Sequence, residues 1–214
     1  MLITLAGQKG GAGKTTIAFC AAVEWMRRGR KVLLVDADPQ ATALTWAGLA
    51  TELGHPTPAV VGLGDNLRQA LPSMAEAYDV TIIDTPGRQN RRLVGALMLS
   101  DVVLLPCQPS PADVWALGTT LDVVTEARDL KPSLRAGLIV NGLMRTAVSS
   151  STKSALQQTG YSVVGELGRR VAFVEAMAAG QGVTAYQPSG AAAREMRNLI
   201  DAVEAFASEV ANVA

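Results

Sequence analysis

The sequence predicts an α/β fold: a single doubly wound, mostly parallel sheet flanked by helices on both faces. Three observations predict it. Short β-branched or leucine-rich runs alternate with longer helical patterns along the chain. Runs such as KVLLVD at 31–36 and VTIID at 80–84 are apolar on both faces, as strands covered from above and below must be. The first run leads into a glycine-rich loop, and two later runs end in aspartate. Ligands of such sheets bind beyond the carboxyl ends of the strands, so chemistry is expected there.

The elements follow in order. Strands are expected at Leu2–Ala6, Lys31–Asp36, Ala59–Val61, Val80–Asp84, Val102–Pro106, Ala136–Asn141 and Val163–Gly165. Helices are expected near 14–28, 41–50, 65–77, 91–99, 112–129, 151–159, 169–179 and 189–211. This alternation implies right-handed crossovers between parallel strands. The stretches 51–58 and 180–188 are short and read as loops. There is no internal repeat and no long linker. The 214 residues suit one domain, 1–214, with two small domains as the weaker alternative.

Composition excludes several classes. At 49% hydrophobic and 18% charged, the chain can bury a sizeable core and is not generally disordered. Its 19 basic and 19 acidic side chains cancel, which argues against coating nucleic acid by bulk charge. The two cysteines, Cys20 and Cys107, lie in apolar stretches, and His55 is the one histidine. A structural zinc site, a cluster held by this chain alone and a disulfide scaffold therefore drop out. No apolar run reaches 18 residues, and the N-terminus carries neither a basic segment nor a small-residue cleavage site. A soluble, cytoplasmic chain with no membrane partner is expected. Charge is unevenly spread: residues 131–200 hold 8 basic and 3 acidic side chains. The plain reading of any one of these arginines is a solvated helical surface.

The run Gln8-Lys9-Gly10-Gly11-Ala12-Gly13-Lys14-Thr15-Thr16 follows a strand and opens a helix. Phosphate binding needs backbone N–H groups turned inward, which glycine permits, and a helix start adds partial positive charge. Lys14 would reach the β- and γ-phosphates, and the Thr15 hydroxyl would ligate Mg²⁺. The usual P-loop places a glycine five residues before Gly13. Gln8 stands there instead, with a lysine, Lys9, beside it. Asp36 and Asp38 end the second strand in DADPQ, and Asp84 ends the fourth in DTPG. In a P-loop enzyme one such carboxylate holds Mg²⁺ and another orients the attacking water. Asp84 fits the metal role, Asp36 its support. The loop Thr85-Pro86-Gly87 would sense the γ-phosphate.

KGGAGKTT resembles the deviant P-loop of the ParA/MinD group of ATPases. The resemblance implies that Lys9 crosses a two-fold interface to the partner's phosphates, so that ATP bridges a homodimer. It assigns Asp38, in DADPQ, the water-orienting role. Further similarities are the proline-broken segment 105–115, Asn141 at a strand end, and the stretch from Gly168 to Val183. They imply that Asn141 contacts adenine and that Tyr186 and Pro188 cover the base. Catalytic roles thus fall to Lys9, Lys14 and Asp38. ATP or ADP would be held by Gly10, Gly11, Ala12, Gly13, Lys14, Thr15, Thr16, Asn141, Tyr186 and Pro188. Thr15, Asp36 and Asp84 would hold Mg²⁺.

The resemblance is closest to small ParA-type partition ATPases, since the chain opens directly at the P-loop strand without a helix-turn-helix extension. It implies non-specific DNA binding by Arg169, Arg170, Arg194 and Arg197, with Arg145 and Lys153 as auxiliaries, in a nucleoid-associated ATP state. A ParB-like or small ribbon-helix-helix adaptor would stimulate hydrolysis. Positioning of a protein cargo, such as a chemosensory cluster or carbon-fixing compartment, is the alternative. A metabolic P-loop enzyme, such as the biotin-pathway synthetase, is a more distant one. The acidic run 204–210 does not resemble MinD's basic membrane anchor. Arg88, Arg91 and Arg92 are expected to be solvated, and Trp25, Trp46, Met177 and Met196 to pack in the core or an interface.

Overall fold

A computed structural model describes residues 1–87, 90–144 and 146–209. Arg88, Arg145, Val210 and the Arg91 side chain therefore lie outside the described residues. Seven strands form one sheet: β1 (Leu2–Leu5), β2 (Val32–Asp36), β3 (Ala59–Gly62), β4 (Val80–Asp84), β5 (Val102–Cys107), β6 (Arg135–Leu143) and β7 (Ser162–Gly168). Their spatial order is β3-β2-β4-β1-β5-β6-β7, and every pairing is parallel, where the sequence led us to expect mostly parallel. Between and after the strands lie α1 (Lys14–Arg27), α2 (Thr42–Glu52), α3 (Leu67–Ala75), α4 (Asn90–Leu99), α5 (Pro111–Leu130), α6 (Ala147–Gln157), α7 (Val171–Ala178), α8 (Val183–Tyr186) and α9 (Ala191–Ser208).

Side chains alternate across each strand, and so feed two cores. Ile3, Leu5, Leu34, Ile82, Leu104 and Ile139 pack under α1, α2, α7, α8 and α9. On the other face, Val103, Leu105, Leu138 and Val140 meet Leu93, Leu97, Leu117 and Leu156 from α4, α5 and α6. Leu33, Val35 and Ile83 meet Leu67 and Leu71 of α3. This explains why the central runs read as apolar throughout: both faces are covered. Trp46 is buried and stacks on Phe19 with ring centroids 4.7 Å apart, and Trp25 and Met196 are also buried, as expected of core positions.

Two helices depart from the sequence reading. α6 begins four residues early, because the Thr146 side chain caps it by accepting from the Ser149 N–H at 3.2 Å. α8 lies within the stretch expected to be a loop. One turn is too short to show a helical period.

The topology places the site. The crossover from β1 leaves to β2 on one side, and the chain later passes from β4 to β5 across β1. The ends of β1, β2 and β4 are in register, with Leu5 and Asp36 each opposite Asp84. The loop after β1 therefore faces the Asp84 end of β4 across one strand spacing and the Asp36 end of β2 across two.

Candidate nucleotide site

The loop after β1 turns on two glycines. Gly11 and Gly13 have φ of 80° and 93°, the left-handed region that side chains resist. A Cβ on Gly13 would also collide with the Asn141 amide nitrogen. α1 starts directly at Lys14, so its unpaired first-turn N–H groups point into the loop. Lys14 is 7% exposed, and its Nζ lies 3.4 Å from the Lys9 carbonyl. Burial lowers the Lys14 pKa, and the charges of Asp84 and Asp38 oppose that shift. Lys14 thus sits folded into the loop, where a phosphate would complete its coordination.

Asp84 is the strongest electrostatic feature. Its Oδ2 accepts from the Thr15 hydroxyl at 2.6 Å, while its buried Oδ1 has no hydrogen-bond partner. Burial pushes its pKa up to about 7, the nearby Asp36 and Asp38 charges add to that, and the Thr15 hydroxyl and Lys14 oppose it. A buried, unsatisfied carboxylate beside a hydroxyl at the mouth of a phosphate loop fits a hard divalent cation such as Mg²⁺. Thr15 and Asp84 would hold it, and the ion would supply charge neutralisation for phosphate oxygens. Among the described residues no group of three His, Cys, Asp or Glu side chains could hold a metal ion alone. Phosphates and water would have to complete the shell.

Asp36, expected to support the metal shell, bonds to backbone. Its Oδ2 accepts from the N–H groups of Ala43 and Leu44, at 2.9 and 3.1 Å, and its Oδ1 from the Asp38 N–H at 3.1 Å. Both oxygens hold the start of α2 and the turn before it. Asp38 is half-buried on that turn, its Oδ1 accepting from the Gln40 N–H at 2.9 Å. Ala41, three residues on, has φ of 50°, the left-handed conformation otherwise held by glycines among the described residues.

Lys9 is turned outward. Its Nζ pairs with Asp113 Oδ2 at 2.7 Å, and its side chain is 44% exposed while that of Asp113 is 5% exposed. Ser110 also hydrogen-bonds Asp113 and caps α5. The same segment braces the loop twice more: Gln108 Nε2 donates to the Gly11 carbonyl at 2.8 Å, and Thr120 Oγ1 accepts from the Gln8 N–H at 3.3 Å. Sequence reading missed Gln108 and Thr120. A polar side chain after a strand or within a helix carries no signal of which loop it reaches. Gly87, in the loop after β4, lies against the same backbone, where a Cβ would come within 3.2 Å of the Gln8 carbonyl.

Beside the loop is a pocket of about 220 Å³ lined by Gly13, Asn141, Gly168, Arg169, Arg170 and Phe173 among others. Asn141, expected to contact adenine, lines this pocket, and its Nδ2 donates to the Ala12 carbonyl at 2.8 Å. Tyr186 and Pro188, expected to cover the base, are not among the residues that line this pocket. Their segment packs lower on α1: Val183 N–H lies 3.5 Å from Cys20 Sγ, and Arg27, in the last turn of α1, donates to the Thr184 carbonyl. Arg169, Arg170 and Phe173 line the pocket, because α7 follows the end of β7 directly. A larger cleft, of about 720 Å³, lies at the opposite edge of the sheet between Met1, Asp79, Asp101, Arg135 and Glu204. It contains none of the phosphate-loop residues.

The arginines read as a basic surface are partly engaged. Arg170 pairs with Glu195 at 2.6 Å, Arg194 donates to the Ser189 carbonyl and Arg197 to that of Pro188. Arg169, Arg170 and Arg194 remain exposed, and Lys153 pairs with Glu166. Arg92, expected to be solvated, is 17% exposed and bound at both ends of its guanidinium.

Comparison with known proteins agrees with this geometry. The chain is 31% identical, over 86% of its length and 86% of the relative's, to the maintenance of carboxysome distribution protein A of Halothiobacillus neapolitanus. It is 29% identical to the chromosome-partitioning ATPase Soj of Thermus thermophilus, covering 97% of this chain and 96% of that one. Its fold superposes on that of MinD from Pyrococcus horikoshii, solved with Mg-ADP, with a TM-score of 0.77, 21% identity and 99% coverage of each chain. The model of the CobQ/CobB/MinD/ParA nucleotide-binding domain matches residues 3–183, and the chain belongs to that family.

Proposed function

We propose that this protein is an ATP-switched homodimer that binds DNA without reading sequence, with hydrolysis stimulated by a ParB-like or ribbon-helix-helix adaptor in plasmid or chromosome partition. The observation that carries the reading is the division of labour between two lysines. Lys14 is buried in the loop, in reach of the chain's own nucleotide. Lys9 stands at the exposed rim, held by Asp113 and turned away from that pocket. A cation placed there serves a phosphate presented by a second chain, once it exchanges Asp113 for that phosphate. ATP with Mg²⁺ would then join two copies, and Asp38 would orient the attacking water.

Pairing would double the set of Arg169, Arg170, Arg194 and Arg197. Each neutralised phosphate steepens the salt dependence of DNA affinity, so a dimer would grip DNA where a neutral monomer does not. Cytoplasmic placement with nucleoid association in the ATP state follows from that mechanism. Among the described residues no helix is long and apolar enough to cross a membrane.

The test is sizing with ATP, ADP and no nucleotide. Wild type pairs only with ATP, Asp38→Ala accumulates the pair, and Lys9→Ala stays monomeric or hydrolyses poorly. Pairing that ignores nucleotide, or DNA affinity that ignores ATP, rules the reading out. A second reading is positioning of a protein cargo, favoured by the similarity to the carboxysome distribution protein. The stimulating partner decides between them: a centromere-bound adaptor supports partition, a cargo-bound one positioning.

A further inference from the structure

We propose that Arg92 is a positioning residue that fixes the Asp36–Asp38 turn to the helix behind the 85–87 loop, and thereby sets where the Asp38 carboxylate stands. Its Nη1 donates to the Ala37 carbonyl at 3.0 Å, and its Nε to Asp65 Oδ1 at 2.8 Å. Ala37 is the residue between Asp36 and Asp38, and its N–H donates to the Asp84 carbonyl at 3.0 Å. Both backbone polar groups of Ala37 are thus tied outward, one to the end of β4 and one to α4. The turn's other hydrogen bonds lie within it, from the Asp38 N–H to Asp36 Oδ1 and from the Ala41 N–H to the Asp38 carbonyl, and Pro39 and Gln40 are exposed.

A guanidinium in the first turn of a helix lies at the positive end of the helix dipole, which disfavours it. Here a carbonyl and a carboxylate offset that cost. The planar fork is what lets one side chain reach acceptors on two separate segments. A lysine ammonium in its place would reach one of them. α4 begins three residues after Gly87, and Gly87 abuts the phosphate-loop backbone. Arg92 therefore links three features in one chain of contacts: the loop that meets the phosphates, the helix behind it and the Asp38 turn.

The inference rests on the reading of Asp38 as the residue that orients the attacking water. Single-turnover hydrolysis of bound Mg-ATP, separate titration with Mg-ADP and thermal unfolding test it in the full chain. Arg92→Ala lowers the hydrolysis rate about tenfold or more, as displacement of a reacting group by a fraction of an ångström does. Mg-ADP affinity stays within about twofold, because Lys14 and Thr15 do not move. Arg92→Lys recovers part of the rate, and Asp65→Ala, which spares the Ala37 contact, keeps most of it. An unchanged rate in Arg92→Ala beside a dead Asp38→Ala overturns the tie alone. A loss that appears in Mg-ADP affinity and melting temperature together overturns it as well, since a purely structural contact would give that. Hydrolysis that survives Asp38→Ala removes the reading of Asp38 and the inference with it.

Discussion

The two edges of the sheet solve opposite problems. At the amino edge, charges are answered by other charges and by backbone, although Glu24 Oε2 has a cation near it and no hydrogen bond. Arg28 meets Glu24, Asp201 and Glu204 at 3.0, 2.7 and 3.5 Å, and Arg27 adds a second cation to Glu24 at 3.5 Å. Asp79 and Asp101 accept from the N–H groups of Lys31 and Leu2, and Lys131 donates to the Ser100 carbonyl at 2.6 Å. At the carboxyl edge the balance is left open. Asp84 has an oxygen without a partner, Lys14 is desolvated, and Ala41 holds a left-handed backbone. Consistency across levels marks a region selected for stability, and local violations mark one selected for something else. The carboxyl edge is incomplete without an anion and a cation.

That contrast can be broken by substitution. Carboxyl-edge changes should raise the stability of the empty protein and cost it nucleotide. Amino-edge changes should lower stability and leave nucleotide affinity unchanged. The largest effect belongs to Asp84→Asn. The folded pKa of Asp84, about 7, is raised above its value in the unfolded chain. The folded state therefore holds the proton more tightly between pH 4 and 7, and stability from this group falls as pH rises through that window. The penalty is on the order of 4 kcal/mol above pH 7. Denaturant unfolding should show Asp84→Asn to be the more stable protein at pH 8 and to lack that slope. Calorimetry should show that its Mg²⁺-dependent gain in nucleotide affinity is lost. Equal stability of the two proteins at pH 8 would erase the contrast.

Next comes Arg28→Ala, which strips Glu24 of a partner while leaving it buried. Arg27 remains as a counter-charge at 3.5 Å, but the charged hydrogen bonds of Arg28 to Glu24 and Asp201 are lost, at a cost of about 3 kcal/mol. For a chain of this size that is a fall of roughly 6–12 °C in Tm. ATP affinity should not change, because the nucleotide loop is at the other end of α1. The smallest effect is Ala41→Gly. It relieves a left-handed residue and gives back part of the gain as chain entropy, for a net stabilisation of up to about 1 kcal/mol. If stability instead falls, the turn holding Asp38 is not strained.

Much of this was legible in the sequence, and the illegible part has a common cause. Gly13, Lys14, Thr15 and Asp84 are adjacent to elements that the pattern of apolar residues defines, so their positions at strand ends and helix starts follow from local rules. Lys9 was legible as an anomaly in the loop, yet nothing in the sequence shows that it pairs with Asp113, 104 positions away. Asp36 looked like a metal ligand because it ends a strand. That its oxygens also bind the N–H groups of Asp38, Ala43 and Leu44 could not be read from the sequence, because the reach of a side chain back onto a following turn leaves no periodic signal. The one-turn helix at Val183–Tyr186 was not legible because a single turn has no readable period, and its docking on Cys20 and Arg27 is a matter of packing.

The sequence by itself determined the succession of strands and helices, the phosphate loop and the residue types that face it. Those features depend on neighbours a few positions apart, where hydrophobic period and backbone preference act directly. The tertiary structure alone decided which acid each cation meets, that Arg92 grips Ala37, and that Arg169 and Arg170 border the pocket. Long side chains choose partners by three-dimensional distance, and strand order brings segments together that the sequence keeps apart.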